Sequence, residues 1–293
     1  MDEQKNYTTE TDKKVGWLSF EQFHGRPEGT VGSTRIRVNW LLPHWPEAEH
    51  YRIGKKYDVI IYQKVYDVEG AEAKNGIKII DICDPDYLHW GTRFKQMISN
   101  CDAVVCGTPA LHRDISRFTN KPVVIIPDRV NLEFFKERKK HTGQGKAKKV
   151  VWYGYSDNFE ALEATLEVVV NLGLDLVIIS NQPYAPDDFV TSKISVTNYP
   201  WSEENWQRDI IEADIVLNPQ MKHAKWEYKS PNKTLNAWAL GMPVAHTEDE
   251  LKKFMDETAR VNEQIIRDKE LKEKHDVKQS VEDYNKLIKE LCD

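Results

Sequence analysis

The chain has 293 residues, enough for two ordinary domains, and its formal charge of −6 is the wrong sign for a protein that grips nucleic acid over a broad face. It is 40% hydrophobic and 30% charged, the balance of a soluble globular protein, and no stretch approaches the ~18 uninterrupted apolar residues of a membrane span. Four cysteines (Cys83, Cys101, Cys106, Cys292) form no CxxC pair, which argues against a zinc site or disulfide framework and for a reducing, cytoplasmic setting.

The opening run, MDEQKNYTTETDKK, is polar and lacks the apolar centre of a signal peptide. Residues 14–20 (KVGWLSF), 57–62 (YDVIIY), 77–82 (IKIIDI), 103–106 (AVVC) and 122–126 (PVVII) then read as buried strands, with helices expected over 34–42 and 109–118. Each run alone is too short to tell a strand from a buried helical segment. Their repetition between helical patterns points to a parallel, doubly wound sheet. The loop at 24–34 (HGRPEGTVGST) follows the first strand and leads into Arg35 and Arg37 at a helix start. Asp81, Asp84 and Asp86 cluster at the end of the third run, where carboxylates can bind hydroxyls, cap a helix or hold a divalent metal.

Residues 136–149 (KERKKHTGQGKAKK) suit either a phosphate-binding arm or a solvated linker, and the domain boundary is placed there. This gives domains over 1–140 and 146–255, with C-terminal helices over 256–293. The second half repeats the alternation: strands at 150–153 (VVWY), 174–180 (LDLVIIS), 214–219 (DIVLNP) and 243–246 (PVAH), and helices over 159–172, 201–213 and 231–240. Residues 247–293 read as helical, with capping-box spacing at Thr247 and Glu250 and a similar pair at Ser280 and Asp283. Nine tryptophans exceed what a core of this size ordinarily uses, and divide evenly between packing and cleft readings.

The best specified helix start lies in WEYKSPNKTLNAWALGMPV, residues 226–244. Ser230 is a good N-cap, Pro231 suits the first helical position, and Gly241 with Pro243 ends the helix. Such a terminus presents backbone N–H groups and the positive end of the dipole, with Lys229 just before it and Lys233 at the third position. Two ammonium groups there suit a diphosphate. A departing nucleoside diphosphate also gains charge as its bond breaks, so the same groups favour the transition state. The alternative on local physics is an ordinary capped helix with exposed lysines. A second helix start follows VVWY, where Gly154 permits close approach and Ser156 or Asp157 can cap.

Together these motifs resemble the GT-B glycosyltransferases of the retaining, family 4 (group 1) type. The resemblance rests on Trp226, Lys229 and Lys233, the turn ALGMPV at 239–244, the strand DIVLNPQ at 214–220, and IPDRVNLEFF at 126–135; it covers roughly residues 55–255. It implies an α/β fold of two Rossmann-like domains facing a central cleft, with C-terminal helices. The implied activity is a hexosyltransferase-like transfer from a UDP- or GDP-sugar to a hydroxyl of a glycan or small molecule, with retention and without cofactor or metal. Asp84, Lys229 and Lys233 are then the catalytic candidates. Gly154, Ser156, Asn158, Asn218, Gln220, Ser230 and Asn236 would hold the donor, and His24, Arg35, Asp86 and His112 the acceptor. Asn236 departs from the family, many of whose members carry a ribose-binding Glu there. Two other readings stand beside this one: the same chemistry on a hydroxymethylated base of viral DNA, which the net charge disfavours, and an inactive sugar-nucleotide-binding protein, to which Asn236 points.

Overall fold

A computed structural model describes residues 13–141, 145–221 and 224–293; the polar run at 1–12 lies outside them. The chain divides into two compact units, Met1–Asn131 with Glu227–Ser230 and Asp276–Asp293, and Leu132–Trp226 with Pro231–His275. The division therefore falls at Asn131 rather than in the basic run, and two later segments belong with the first unit.

In that first unit β1 (Val15–Ser19) is followed by α1 (Phe20–Phe23) and α2 (Gly32–Thr34). Next come β2 (Ala48–His50), β3 (Val59–Gln63), α3 (Val68–Glu72), β4 (Ile77–Ile82), α4 (Tyr87–Asn100), β5 (Ala103–Cys106), α5 (Pro109–Ile115) and β6 (Val123–Ile125). The strands pair in parallel in the order β2-β1-β3-β4-β5-β6. The strand sequences are near-continuous Val/Ile because both faces of the sheet are covered. On one face Ile60, Tyr62, Ile80 and Val104 pack with Ala71, Phe94, Met97 and Leu111 of the helices. On the other, Trp17 meets Trp45 at 6.4 Å and Tyr284 at 5.2 Å between ring centroids, so the last helix of the chain completes the first unit.

The second unit carries β7 (Lys149–Tyr153), α6 (Phe159–Glu163), α7 (Leu166–Asn171), β8 (Asp175–Ser180), α8 (Asp188–Thr191), β9 (Val196–Pro200), α9 (Trp206–Ile211), β10 (Ile215–Leu217), α10 (Asn232–Ala239) and β11 (Val244–Ala245). Then follow α11 (Glu248–Lys253) and α12 (Glu257–Lys274); α13 (Lys278–Cys292) returns to the first unit. Its strands are also parallel, in the order β11-β10-β7-β8-β9. Trp152, Ile178 and Leu217 meet Leu162, Val169, Leu251 and Phe254 in its core.

Several sequence expectations need correction. Residues 34–42 are not an α-helix: Arg35–Asn39 form a π turn, which points Arg37 inward to Asp81 (2.6 and 2.9 Å) and Asp128 (2.5 Å). The expected helix over 159–172 breaks at Ala164 and Thr165, where the Thr165 hydroxyl donates back to Leu162 O at 2.8 Å, the competition that weakens Thr inside helices. The expected helix over 201–213 shrinks to α9, and the strand before it, β9, was not anticipated. It is an edge strand with exposed positions and a terminal Pro, so it lacks a buried strand's apolar run. The three-residue edge strand β2 escaped for the same reason. The basic run is not a free tether: Lys139 N–H donates to Leu240 O at 2.8 Å, its ammonium lies 3.4 Å from Asp214, and His141 bonds Gly241 O at 3.1 Å.

Thr247 and Glu250 do form a capping box. Ser280 and Asp283 instead sit inside α13, where both bond Arg129. Trp17, Trp40, Trp45, Trp152 and Trp206 are buried, so packing accounts for most of the excess, while Trp90 and Trp201 stay exposed. Among the described residues no helix is long and apolar enough to cross a membrane.

Candidate functional site

Doubly wound sheets bind ligands beyond the carboxyl ends of their strands, where the strand order reverses. In the second unit the reversal lies between β7 and β10. Gly154 leaves β7 there, with its N–H bonded to Ile179 O at 3.0 Å. A β-carbon on Gly154 would overlap Lys233 Nζ and stand 3.1 Å from Lys233 Cε, so glycine is what lets the lysine lie across the turn. The ammonium stands 4.8 Å from the Trp152 ring centre and 5.9 Å from that of Tyr153, within cation–π range. Tyr153 donates its hydroxyl to Lys233 O, tying the strand end to the first turn of α10. Burial raises the Tyr153 pKa, so it stays a neutral donor.

Two of the sequence-level signals, the Gly154 turn and the Lys233 helix start, are thus one place. Helix geometry directs the first N–H groups of α10 away from any intrahelical acceptor. The helix begins at Asn232 with Pro231 in the capping position and no side-chain cap bond there, one residue later than the Ser230 cap expected. Ser156 and Asn158 lie half-buried in the turn after Gly154, with Ser156 N–H on Asn181 Oδ1 at 2.9 Å and Asn158 Nδ2 on Tyr155 O at 3.3 Å. Asn236 lies one turn beyond Lys233 on the same helix face. It is 8% exposed, and its Oδ1 has no hydrogen-bond partner among the described residues.

Beyond β10 the side chains form a closed ring. Asn218 Nδ2 donates to Thr234 Oγ1 at 3.0 Å. His246 Nδ1 stands 2.7 Å from Asn218 O, and because a carbonyl only accepts, Nδ1 carries the proton. Nε2 then accepts from the Thr234 hydroxyl at 3.5 Å, so the 3.5 Å approach of Gln220 Nε2 to Nδ1 is donor against donor and not a hydrogen bond. The ring fixes Asn218 at the root of the β10–α10 connection. Neither Thr234 nor His246 was singled out in sequence: a lone His after a two-residue strand carries no local signal.

Lys229 and Ser230 belong to the segment Glu227–Ser230, which packs with the first unit. In that unit the strand order reverses between β1 and β3. His24 is exposed beside Phe20 (4.4 Å between centroids) and Phe23 (5.1 Å). Lys64, directly after β3, has φ +54°, alone among the described non-glycine residues in a left-handed conformation; such strain marks functional positions. Its ammonium bonds Asp84 and lies 4.0 Å from Asp86. Burial pulls the Lys64 pKa down, but Cys83, Asp84 and Asp86 raise it further, so the residue is a cation.

The three aspartates therefore separate in role. Asp81 is internal with Arg37 and Tyr284. Asp84, half exposed, pairs with Lys64. Asp86 is buried, accepts from Tyr66 OH at 2.6 Å, and has its pKa raised by that burial against the pull of Lys64. Among the described residues no group of three His, Cys, Asp or Glu is placed to hold a metal ion. Arg35 lies half-buried in the π turn and His112 half-buried on α5, whereas Arg37 is internal.

No protein-family model and no curated protein matches the sequence. Solved structures match the fold. HepE from Anabaena, in complex with UDP, has a TM-score of 0.61 at 10% identity over 94% of this chain and 100% of its own. An alpha-glucosyltransferase in complex with UDP-glucose and DNA containing an abasic site scores 0.61 at 9%, covering 80% of each chain. TarM scores 0.57 at 11% over 84% of this chain, which spans about half (55%) of TarM's length. The two parallel sheets share the fold of the GT-B glycosyltransferases; at these identities the likeness is one of fold.

Proposed function

We propose that the chain is a glycosyltransferase that moves a sugar from a nucleoside diphosphate donor to a hydroxyl acceptor. The observation that carries this reading is the approach of Lys233 to Gly154 at the reversal between β7 and β10. A glycine turn that lets a backbone or ligand come close, a cation and a helix N-terminus converge there, the combination a diphosphate needs. The UDP and UDP-glucose in complexes of like fold favour a UDP-sugar, with a GDP-sugar the other candidate. Lys233, and Lys229 just ahead of α10, would neutralise the leaving diphosphate, lowering the barrier because charge grows there as the glycosidic bond breaks. Gly154, Ser156, Asn158, Ser230, Asn218 and Gln220 would frame the donor. Asn236 would offer its buried oxygen as an acceptor for a donor hydroxyl.

In the first unit His24, Arg35, Asp86 and His112 are the acceptor candidates, and Asp84, paired with Lys64, would orient the acceptor hydroxyl. We read the transfer as retaining, with the donor phosphate accepting the proton of the acceptor hydroxyl. We assign no metal to the reaction, two lysines being the countercharge. A glycan or small-molecule acceptor suits the charge of −6 better than DNA, and four unpaired cysteines suit the cytoplasm.

The test is a thermal-shift screen of nucleotide sugars, followed by turnover with the best binder. A ligand at 100 times its Kd raises stability by about 2.7 kcal/mol. Lys233→Ala should abolish the shift while leaving the unliganded melting temperature within a few degrees. An unchanged shift with that variant removes the diphosphate assignment, and salt-sensitive duplex binding would move the acceptor to DNA.

A further inference from the structure

We infer that Tyr228, latched to Asp114, is a positioning residue for nucleoside diphosphate binding. The inference rests on the function proposed above and extends it to residues outside the donor site. Tyr228 OH donates to Asp114 Oδ2 at 2.6 Å, and Tyr87 OH donates to the same oxygen at 2.8 Å. The Tyr228 side chain packs against the core of the first unit. Its neighbour Glu227 reaches Arg113 Nη2 at 3.3 Å. The Tyr228 hydrogen bond is the foremost reason that the Asp114 carboxyl is held below its ordinary range, so the latch closes on an anion.

The two hydroxyls share an acceptor but hold different things. Tyr87 opens α4, inside the first unit's own framework. Tyr228 ends the 3-10 turn Ala224–Tyr228, in the connection that leaves β10 and enters α10. Lys229 and Ser230 follow it directly, and the helix begins at Asn232. Tyr228, Lys229 and Ser230 are the last part of this connection before α10. Unpinned, such a loop holds its binding conformation only part of the time, and ligand affinity falls by that fraction. The Tyr228–Asp114 bond supplies a pin one residue from Lys229. A purely structural latch would have no reason to act on nucleotide affinity.

The experiment measures UDP and GDP binding by calorimetry for the wild-type chain, Tyr228→Phe, Tyr87→Phe and Lys233→Ala, with melting temperatures for each and titrations below all of them. Each phenylalanine removes one hydroxyl from the same carboxylate, so the two melting temperatures should fall alike. Tyr228→Phe should weaken binding of the preferred nucleotide about tenfold, the scale of losing one hydrogen bond to a charged group, while Tyr87→Phe changes it less than about twofold. Wild-type affinity in Tyr228→Phe, or equal weakening in both, overturns the latch; if Lys233→Ala still loses binding, the donor reading survives. If the wild-type chain binds neither nucleotide, or Lys233→Ala binds as the wild type does, the donor reading itself fails and takes the latch with it.

Discussion

Gly154→Ala adds one methyl at the proposed donor site, on a residue whose φ of +157° already disfavours a side chain. The new methyl overlaps Lys233 Nζ, stands 3.1 Å from Cε and 3.2 Å from Trp152 Cη2. The ammonium is the far end of a flexible side chain, so it gives way, and the cost to the fold is the one Gly173→Ala also bears, a side chain at positive φ. Pushing the cation from about 3 to about 4 Å from a phosphate charge loses about 1.4 kcal/mol at an effective dielectric constant near 20, which is tenfold in Kd. Gly173→Ala is the matched control. Gly173 has φ +65° with nothing within 4 Å of its would-be β-carbon, and it precedes β8, whereas Gly154 follows the parallel neighbour β7; the two lie at opposite ends of adjacent strands. Its substitution should cost about 1 kcal/mol of stability through backbone strain and leave UDP affinity alone. Calorimetry with UDP and melting of both variants separate the two effects. If Gly154→Ala binds UDP within about twofold of wild type, the diphosphate does not lie against Lys233 at this turn, and the reasoning from close approach is wrong.

Three other outcomes follow from the same geometry. Arg37→Met leaves Asp81 and Asp128 buried without their cation, which should cost about 3–5 kcal/mol and lower the melting temperature by on the order of 10 °C; a fall of only a degree or two would mean the carboxylates find other partners. His246→Ala opens the Asn218–Thr234–His246 ring and should weaken UDP several-fold, and His246→Asn, whose amide can donate in place of Nδ1, should recover most of it; equal affinity in all three chains would separate the ring from the ligand. Burial lowers the His141 pKa, against the pull of its bond to Gly241 O, so the folded chain takes this proton less readily than the unfolded one, whose value is near 6.5. Its contribution is complete above about pH 6.5 and is lost as pH falls through the folded value; melting should decline from pH 7 to pH 5, and less so in His141→Gln.

What the sequence disclosed was local in cause. The strands at 77–82 and 103–106 match the sequence reading to the residue because burial on both faces writes itself as a run rich in Val and Ile, and the Thr247–Glu250 box does so because its two partners are three residues apart. What it hid was set from far away. Arg35–Asn39 winds as a π turn whose Arg37 answers Asp81 and Asp128, 44 and 91 residues on, and no propensity within the segment announces them. The Tyr228–Asp114 bond spans 114 residues and the Tyr284–Asp81 bond 203.

The candidate donor site falls between these cases. Gly154 and Lys233 were each visible as a helix start, yet nothing local says that they touch: Tyr153 and Lys233 are 80 residues apart. The missing fact is a single adjacency, β7 beside β10, since the reversal of strand order brings the end of the first strand and the helix after the fourth to one point. A βαβ pattern read from sequence leaves that order open, because right-handed crossovers permit a sheet to grow from either side of its first strand. Once β10 pairs with β7 instead of extending the β9 edge, the glycine turn and the lysine helix must converge. The site is therefore a consequence of topology acting on two locally encoded ends, and a circular permutation or insertion that kept both motifs but moved β10 to the other edge would keep every predicted residue and lose the site.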